Sequence, residues 1–151
     1  MAEPPVATLV VRRIIRATPE RLFAAWTEPQ QLVHWWGPEG VSCPVAEVDL
    51  RPGGRYRIAN RFADGTLVWI AGVFEVVEPP RRLIYTWQLE SAAAASVPTL
   101  PERVSVCFEA RDSATEVIVT HERIASAAAR TSHELGWSGC LDGLARYAER
   151  L

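Results

Sequence analysis

The chain contains no lysine. All 16 of its basic residues are arginine, which removes Schiff-base and lysine general-base chemistry from the mechanisms open to it. Cysteine is sparse: Cys43, Cys107 and Cys140 are far apart, odd in number and without a CxxC pair. Neither a disulfide framework nor a zinc knuckle is expected, and the three read as reduced packing residues. No apolar run approaches the roughly 18 residues that span a bilayer, and the N-terminus lacks a charged-then-apolar leader. A membrane partner is therefore not expected, and the cytoplasm is the expected compartment. An excess of one charge is missing too: with a formal net charge of −2 the chain has no general attraction for phosphate backbones, so nucleic acid is not expected as a partner. Finally, there is no GxSxG, no HExxH, no phosphate loop and no dinucleotide fingerprint. No catalytic residue and no cofactor is expected, and the balance falls against an enzyme.

What is present is an ordinary globular composition, 48% hydrophobic and 23% charged over 151 residues, expected to form one domain over 1–151. Residues 8–15 (TLVVRRII) are rich in β-branched side chains and read as a first strand. Thr18 is placed to cap a helix with Pro19 at its first position and Leu22, Phe23 and Trp26 as its apolar stripe. A second short helix is expected from Pro29 to about Trp36, stopped by Gly37-Pro38. Beyond residue 42 the pattern becomes a meander. Tyr56, Ile58, Asn60 and Phe62 alternate with Arg55, Arg57, Ala59 and Arg61, giving one inward face and one wet arginine face. Asp64-Gly65 signals a hairpin, residues 67–77 the return strand, 83–89 the next, and 104–111 with 115–121 a last hairpin about Asp112-Ser113. Residues 91–101, alanine-rich with two prolines, read as a mobile loop.

The C-terminal stretch changes period. Thr131 and Glu134 have capping-box spacing, and Trp137, Leu141, Leu144, Ala148 and Leu151 recur at helical intervals. Gly136, Cys140 and Gly143 form a low-bulk row beside that stripe, leaving room for close packing or for something else. An antiparallel sheet with one wet face and one long terminal helix satisfies itself by wrapping around the helix. The expected fold is therefore α+β: a helix-grip with a curved antiparallel sheet of six to seven strands, two short helices after strand one, and an under-filled cavity.

The segments 18–27 (TPERLFAAWT), 32–38 (LVHWWGP), 49–56 (DLRPGGRY), Asp64-Gly65, 78–87 (EPPRRLIYTW), His121 and Gly136-Trp137 with Leu141 and Leu144 run in order over nearly the whole chain. In them the chain resembles the activator-of-heat-shock-protein-90-ATPase-like family of the START-like, or SRPBCC, superfamily, which has the birch-pollen-allergen-like fold. That resemblance implies an internal hydrophobic pocket and three alternatives: a hydrophobic-ligand binder, a co-chaperone-like partner of a heat-shock-protein-90-class ATPase with a role in stress response, or a polyketide-cyclase-like enzyme. At 151 residues the chain is expected to hold one such domain, without the separate N-terminal chaperone-docking domain of the full activator. Binding of a small aromatic or lipid-like molecule by a monomer or homodimer is the leading expectation.

The expected ligand-binding residues are Trp35, Trp36, Tyr56, Ile58, Asn60, Phe62, Trp69, Trp87, His121 and Trp137. Trp35 and Trp36 are adjacent and cannot both face inward on one short helix, so one of them is expected at the pocket mouth. Asn60 on an inward face needs a hydrogen bond, either from a ligand or from the protein's own backbone. His121 ends a strand and His133 lies one turn before Trp137, so both look toward the same space. No two histidines have close metal-ligand spacing, and no metal is expected. Glu75 and Glu78 fall at a strand end and a turn, where a solvated surface is the expectation.

Overall fold

In the computed structural model, residues 7–38, 40–90 and 101–149 are described. The element order is β1 (Ala7–Ile15), α1 (Pro19–Thr27), α2 (Pro29–Trp35), β2 (Ala46–Val48), β3 (Arg55–Arg61), β4 (Leu67–Glu78), β5 (Arg82–Glu90), β6 (Glu102–Arg111), β7 (Ala114–Ile124) and α3 (Ala127–Glu149). The strands form one antiparallel sheet in the order β1-β7-β6-β5-β4-β3-β2. Its buried face and the three helices enclose a single core, which is the helix-grip arrangement. The expected loop over 91–101 lies, except for Pro101, outside the described residues.

Local chemistry explains the early helices. The Thr18 hydroxyl accepts the Arg21 N–H at 3.1 Å, Pro19 occupies the first turn, and Leu22, Phe23, Ala25 and Trp26 are buried. Pro29 ends this helix and opens the next. That second helix stops at Trp35. Trp36 already has an extended backbone, φ −66° and ψ 137°, and this corrects the expectation for the pair. Because Trp36 is no longer on the helix, its indole turns inward alongside that of Trp35, and both are buried.

The terminal helix also starts earlier than the capping-box spacing suggests. Its cap is Ser126, whose hydroxyl accepts the Ala129 N–H at 3.1 Å. Thr131 lies one turn inside, bonded back to the Ala127 carbonyl at 3.2 Å. Trp137, Cys140, Leu141, Leu144 and Ala148 form its buried stripe. It is tied to β1 by an Arg13–Asp142 ion pair, by Arg130 Nε to the Thr8 carbonyl at 3.0 Å, and by the Arg16 N–H to Glu149 at 2.9 Å.

The two glycines of the low-bulk row do different things. A Cβ on Gly143 would come within 2.7 Å of the Trp35 carbonyl oxygen, so this glycine lets α3 close onto the end of α2. A Cβ on Gly136 would meet nothing within 4 Å.

Candidate functional site

Four indoles gather on the concave side of the sheet, within a core otherwise largely aliphatic. Trp26 is the hub, with its ring centroid 5.1 Å from Trp35, 6.1 Å from Trp36 and 6.0 Å from Trp137. Each of these four rings also satisfies its N–H. Trp26 donates to the Tyr85 hydroxyl at 3.3 Å and Trp35 to the Ala25 carbonyl at 2.9 Å. Trp36 donates to Asn60 Oδ1 at 3.1 Å and Trp137 to His121 Nδ1 at 3.0 Å. The Asn60 amide in turn donates to the Ile58 and Val68 carbonyls at 3.4 and 3.3 Å. Its polar atoms are thus satisfied by the protein itself, and Asn60 fixes Trp36 against β3.

Among the described residues, two smaller spaces lie against these rings, besides a more polar groove of about 430 Å³ at the rim where Trp35, Trp36, Gly143 and Tyr147 meet. A void of about 20 Å³ lies among Trp26, Leu32, Val48, Tyr56, Ile58, Phe74 and Tyr85. That is room for one or two water-sized bodies. The Tyr56 hydroxyl beside it donates to the Thr86 carbonyl at 2.6 Å, and burial pushes both Tyr56 and Tyr85 upward from the ordinary phenol value. The second is a half-open cleft of about 110 Å³ between α3 and the sheet, lined by Trp36, Pro38, Asn60, Ile70, Trp87, Ser132, His133, Gly136, Trp137 and Cys140. Ligand pockets commonly measure roughly 300–1,000 Å³. The indoles thus leave a smaller space against α3 than such a pocket has.

At the polar end of the cleft stands a cluster built from three elements. Glu102 opens β6, His121 comes from β7 and His133 from the first turns of α3. The imidazoles stack with centroids 4.5 Å apart, and the Trp87 ring meets both edge-on at 5.1 and 5.0 Å. Glu102 Oε1 lies 2.6 Å from His121 Nε2 and 3.1 Å from His133 Nε2. Burial pushes the Glu102 carboxyl up, but the hydrogen bonds and charges of the two histidines outweigh it and bring the group down to about 2. His121 is fully buried and is held below its ordinary value, chiefly by desolvation.

The hydrogen bonds also fix the histidine tautomers. An indole N–H only donates, so His121 Nδ1 must carry a lone pair and the ring proton sits on Nε2, pointing at Glu102. The three ligand atoms lie within 4.8 Å of one another, close enough to suggest a metal site. A cation at His121 Nε2 would drive the proton to Nδ1, directly against the Trp137 N–H. Metal-bound histidines ordinarily donate through their second nitrogen to an acceptor, and here that position faces a donor. The cluster is built to hold protons.

The structure brings together Trp36, Asn60, Trp87 and Trp137 at the cleft, with His121 behind its wall. Tyr56 and Ile58 face the smaller void, and Trp35 packs against Trp26 and lines the groove at the rim. Two of the expected residues are elsewhere. Trp69 pairs with Ala59, on the outer face of the sheet, where the Arg57 guanidinium lies 4.1 Å over its ring. Phe62 falls one residue past β3, in the hairpin turn, and is 42% exposed. Sequence reasoning passed over Glu102. Its signal was the period-two stripe Glu102, Val104, Val106, Phe108, whose register sets Val104 opposite His121.

These elements define a helix-grip protein with four clustered indoles in its core and a small polar-ended cleft. The chain belongs to the Activator of Hsp90 ATPase homolog 1-like family, whose model matches residues 16–149. A crystal structure of a Chromobacterium violaceum protein is similar to it at 27% identity and TM-score 0.83, covering 94% of this chain and 96% of the other. The AHSA1 protein from Silicibacter pomeroyi is 26% identical with TM-score 0.80, covering 93% and 96%. The solution structure of an AHSA1-like protein from Aeromonas hydrophila shares the fold at 24% identity and TM-score 0.77, covering 95% and 93%. No curated protein matches the chain. The family fold supports a ligand-binding or co-chaperone-like role in general. Among the described residues no helix is long and apolar enough to cross a membrane.

Proposed function

We propose that the protein binds a small, flat, largely apolar molecule, one aromatic ring in size, in the cleft between α3 and the sheet, and does not transform it. One observation carries this reading: the cleft has rigid walls from Trp36, Trp87 and Trp137 and a floor at Gly136 where a side chain is missing and nothing takes its place. Aromatic walls bind flat ligands through large area at little entropic cost. An apolar cavity of about 150 Å³ is known to take up benzene, so a cleft of about 110 Å³ open on one side suits a single ring.

A thermal-shift titration with toluene and other one-ring compounds tests it. Saturating ligand should raise the unfolding midpoint, by a stabilisation of about 2.7 kcal/mol at a hundred times the dissociation constant. Gly136→Leu, which fills the floor, should abolish the response while leaving the protein folded. A wild-type protein indifferent to every one-ring compound would overturn the proposal.

A further inference from the structure

The Glu102–His133 pair has a capacity that the aromatic walls do not explain. Glu102 Oε1 accepts from Nε2 of both histidines, so in its neutral form His133 carries its proton on Nε2. His133 Nδ1 is then a lone-pair acceptor, and among the described residues it has no hydrogen-bond partner, while His133 itself forms part of the cleft wall. Of the other polar groups on the inner wall of the cleft, three are already engaged, while the Ser132 hydroxyl stands at its exposed rim. Asn60 is consumed by Trp36 and by two backbone carbonyls, and the Trp137 N–H by His121. The Cys140 thiol is pushed up to about 12 by burial, with its bond to the Gly37 backbone only partly offsetting this, so it stays protonated and inert.

We propose that the ligand is a hydroxyl-bearing aromatic, a phenol or a close relative with an N–H in the same place, whose ring lies among Trp36, Trp87 and Trp137 and whose donor is accepted by His133 Nδ1. This rests on the cleft being a ligand site and adds its polarity. The carboxylate behind His133 orients the ring and makes Nδ1 a stronger acceptor, as carboxylates do for histidines elsewhere. A ligand whose polar atom only accepts would meet a lone pair, and an anion would meet a site that already holds the Glu102 charge. The preference is therefore for a neutral donor.

Phenol, anisole and toluene, titrated by isothermal calorimetry near neutral pH, separate the possibilities, since the rings are alike and only phenol donates. Phenol should bind at least about tenfold more tightly than anisole or toluene. His133→Phe keeps an aromatic wall and removes the acceptor, so the preference should vanish while toluene still binds. Nitrogen NMR of the histidine rings, which needs no variant, should show His121 and His133 as Nε2–H tautomers. Equal affinity for all three compounds, a preference that survives His133→Phe, or a proton on His133 Nδ1 would overturn the donor proposal with the binding reading intact. Failure of all three compounds to bind would remove the binding reading itself.

Discussion

Gly136 and Gly143 lie two turns apart on the same helix, and their surroundings are opposite. At Gly143 the helix presses onto the Trp35 carbonyl, and the missing side chain is space already used. At Gly136 the missing side chain is space left over, bounded by Trp36, Trp87 and His133. One residue type thus serves adhesion at one end of α3 and accommodation at the other. The lesson is that a small residue on a buried helix carries no meaning until the facing atoms are known.

The contrast can be broken most forcefully at the open end. Trp137→Phe removes the donor to His121 Nδ1 and part of the indole stack, and should cost about 3 kcal/mol in urea unfolding. The same change frees His121 to move its proton, so the variant should acquire zinc binding by calorimetry where the wild type shows none. Stoichiometric zinc binding by the wild type would defeat the tautomer argument. Next come the glycines. Gly143→Ala should destabilise by about 1 kcal/mol, the overpacking against Trp35 exceeding the gain in helix propensity. Gly136→Ala should stabilise by about 1 kcal/mol. Opposite signs in one denaturation experiment would sharpen the comparison, and equal signs would end it.

Acidification addresses the polar cluster. His121 is held below the usual 6.5, so the unfolded chain takes up a proton that the native one declines, and stability falls as pH drops below that value. Glu102, lowered from 4.5 to about 2, stabilises the fold above its ordinary value, and that contribution is lost as pH falls through the interval. Urea midpoints should therefore decline in two stages below pH 6.5, with Glu102→Gln flattening the lower one. The smallest effect is at the start of α3, where the cap is exposed: Ser126→Ala should cost about 0.5 kcal/mol, whereas Thr131→Ala should be close to neutral.

The sheet, both short helices and the long terminal helix were legible because periodicity and caps are local signals. The site was less so. Thr131 and Glu134 offered a cap in sequence that Ser126 supplied in space. Whether Trp36 could join Trp35 inside depended on where α2 stopped, which is a boundary of one residue. Trp69 could be assigned to a face only with the register Ala59 to Trp69, since both faces of β4 are apolar. Glu102 was passed over, because only strand pairing put its side chain beside two histidines that lie 19 and 31 residues further along the chain. Long-range registry, not residue type, made it part of the cluster.

The indole assembly has an optical consequence. Trp26, Trp35, Trp36 and Trp137 stand with neighbouring centroids 5.1 to 6.1 Å apart, a separation at which excitation passes freely between chromophores. Their emission is therefore a collective signal, and anything that settles beside Trp36 or Trp137 is reported by the whole set. The protein carries its own built-in light meter, read without any label.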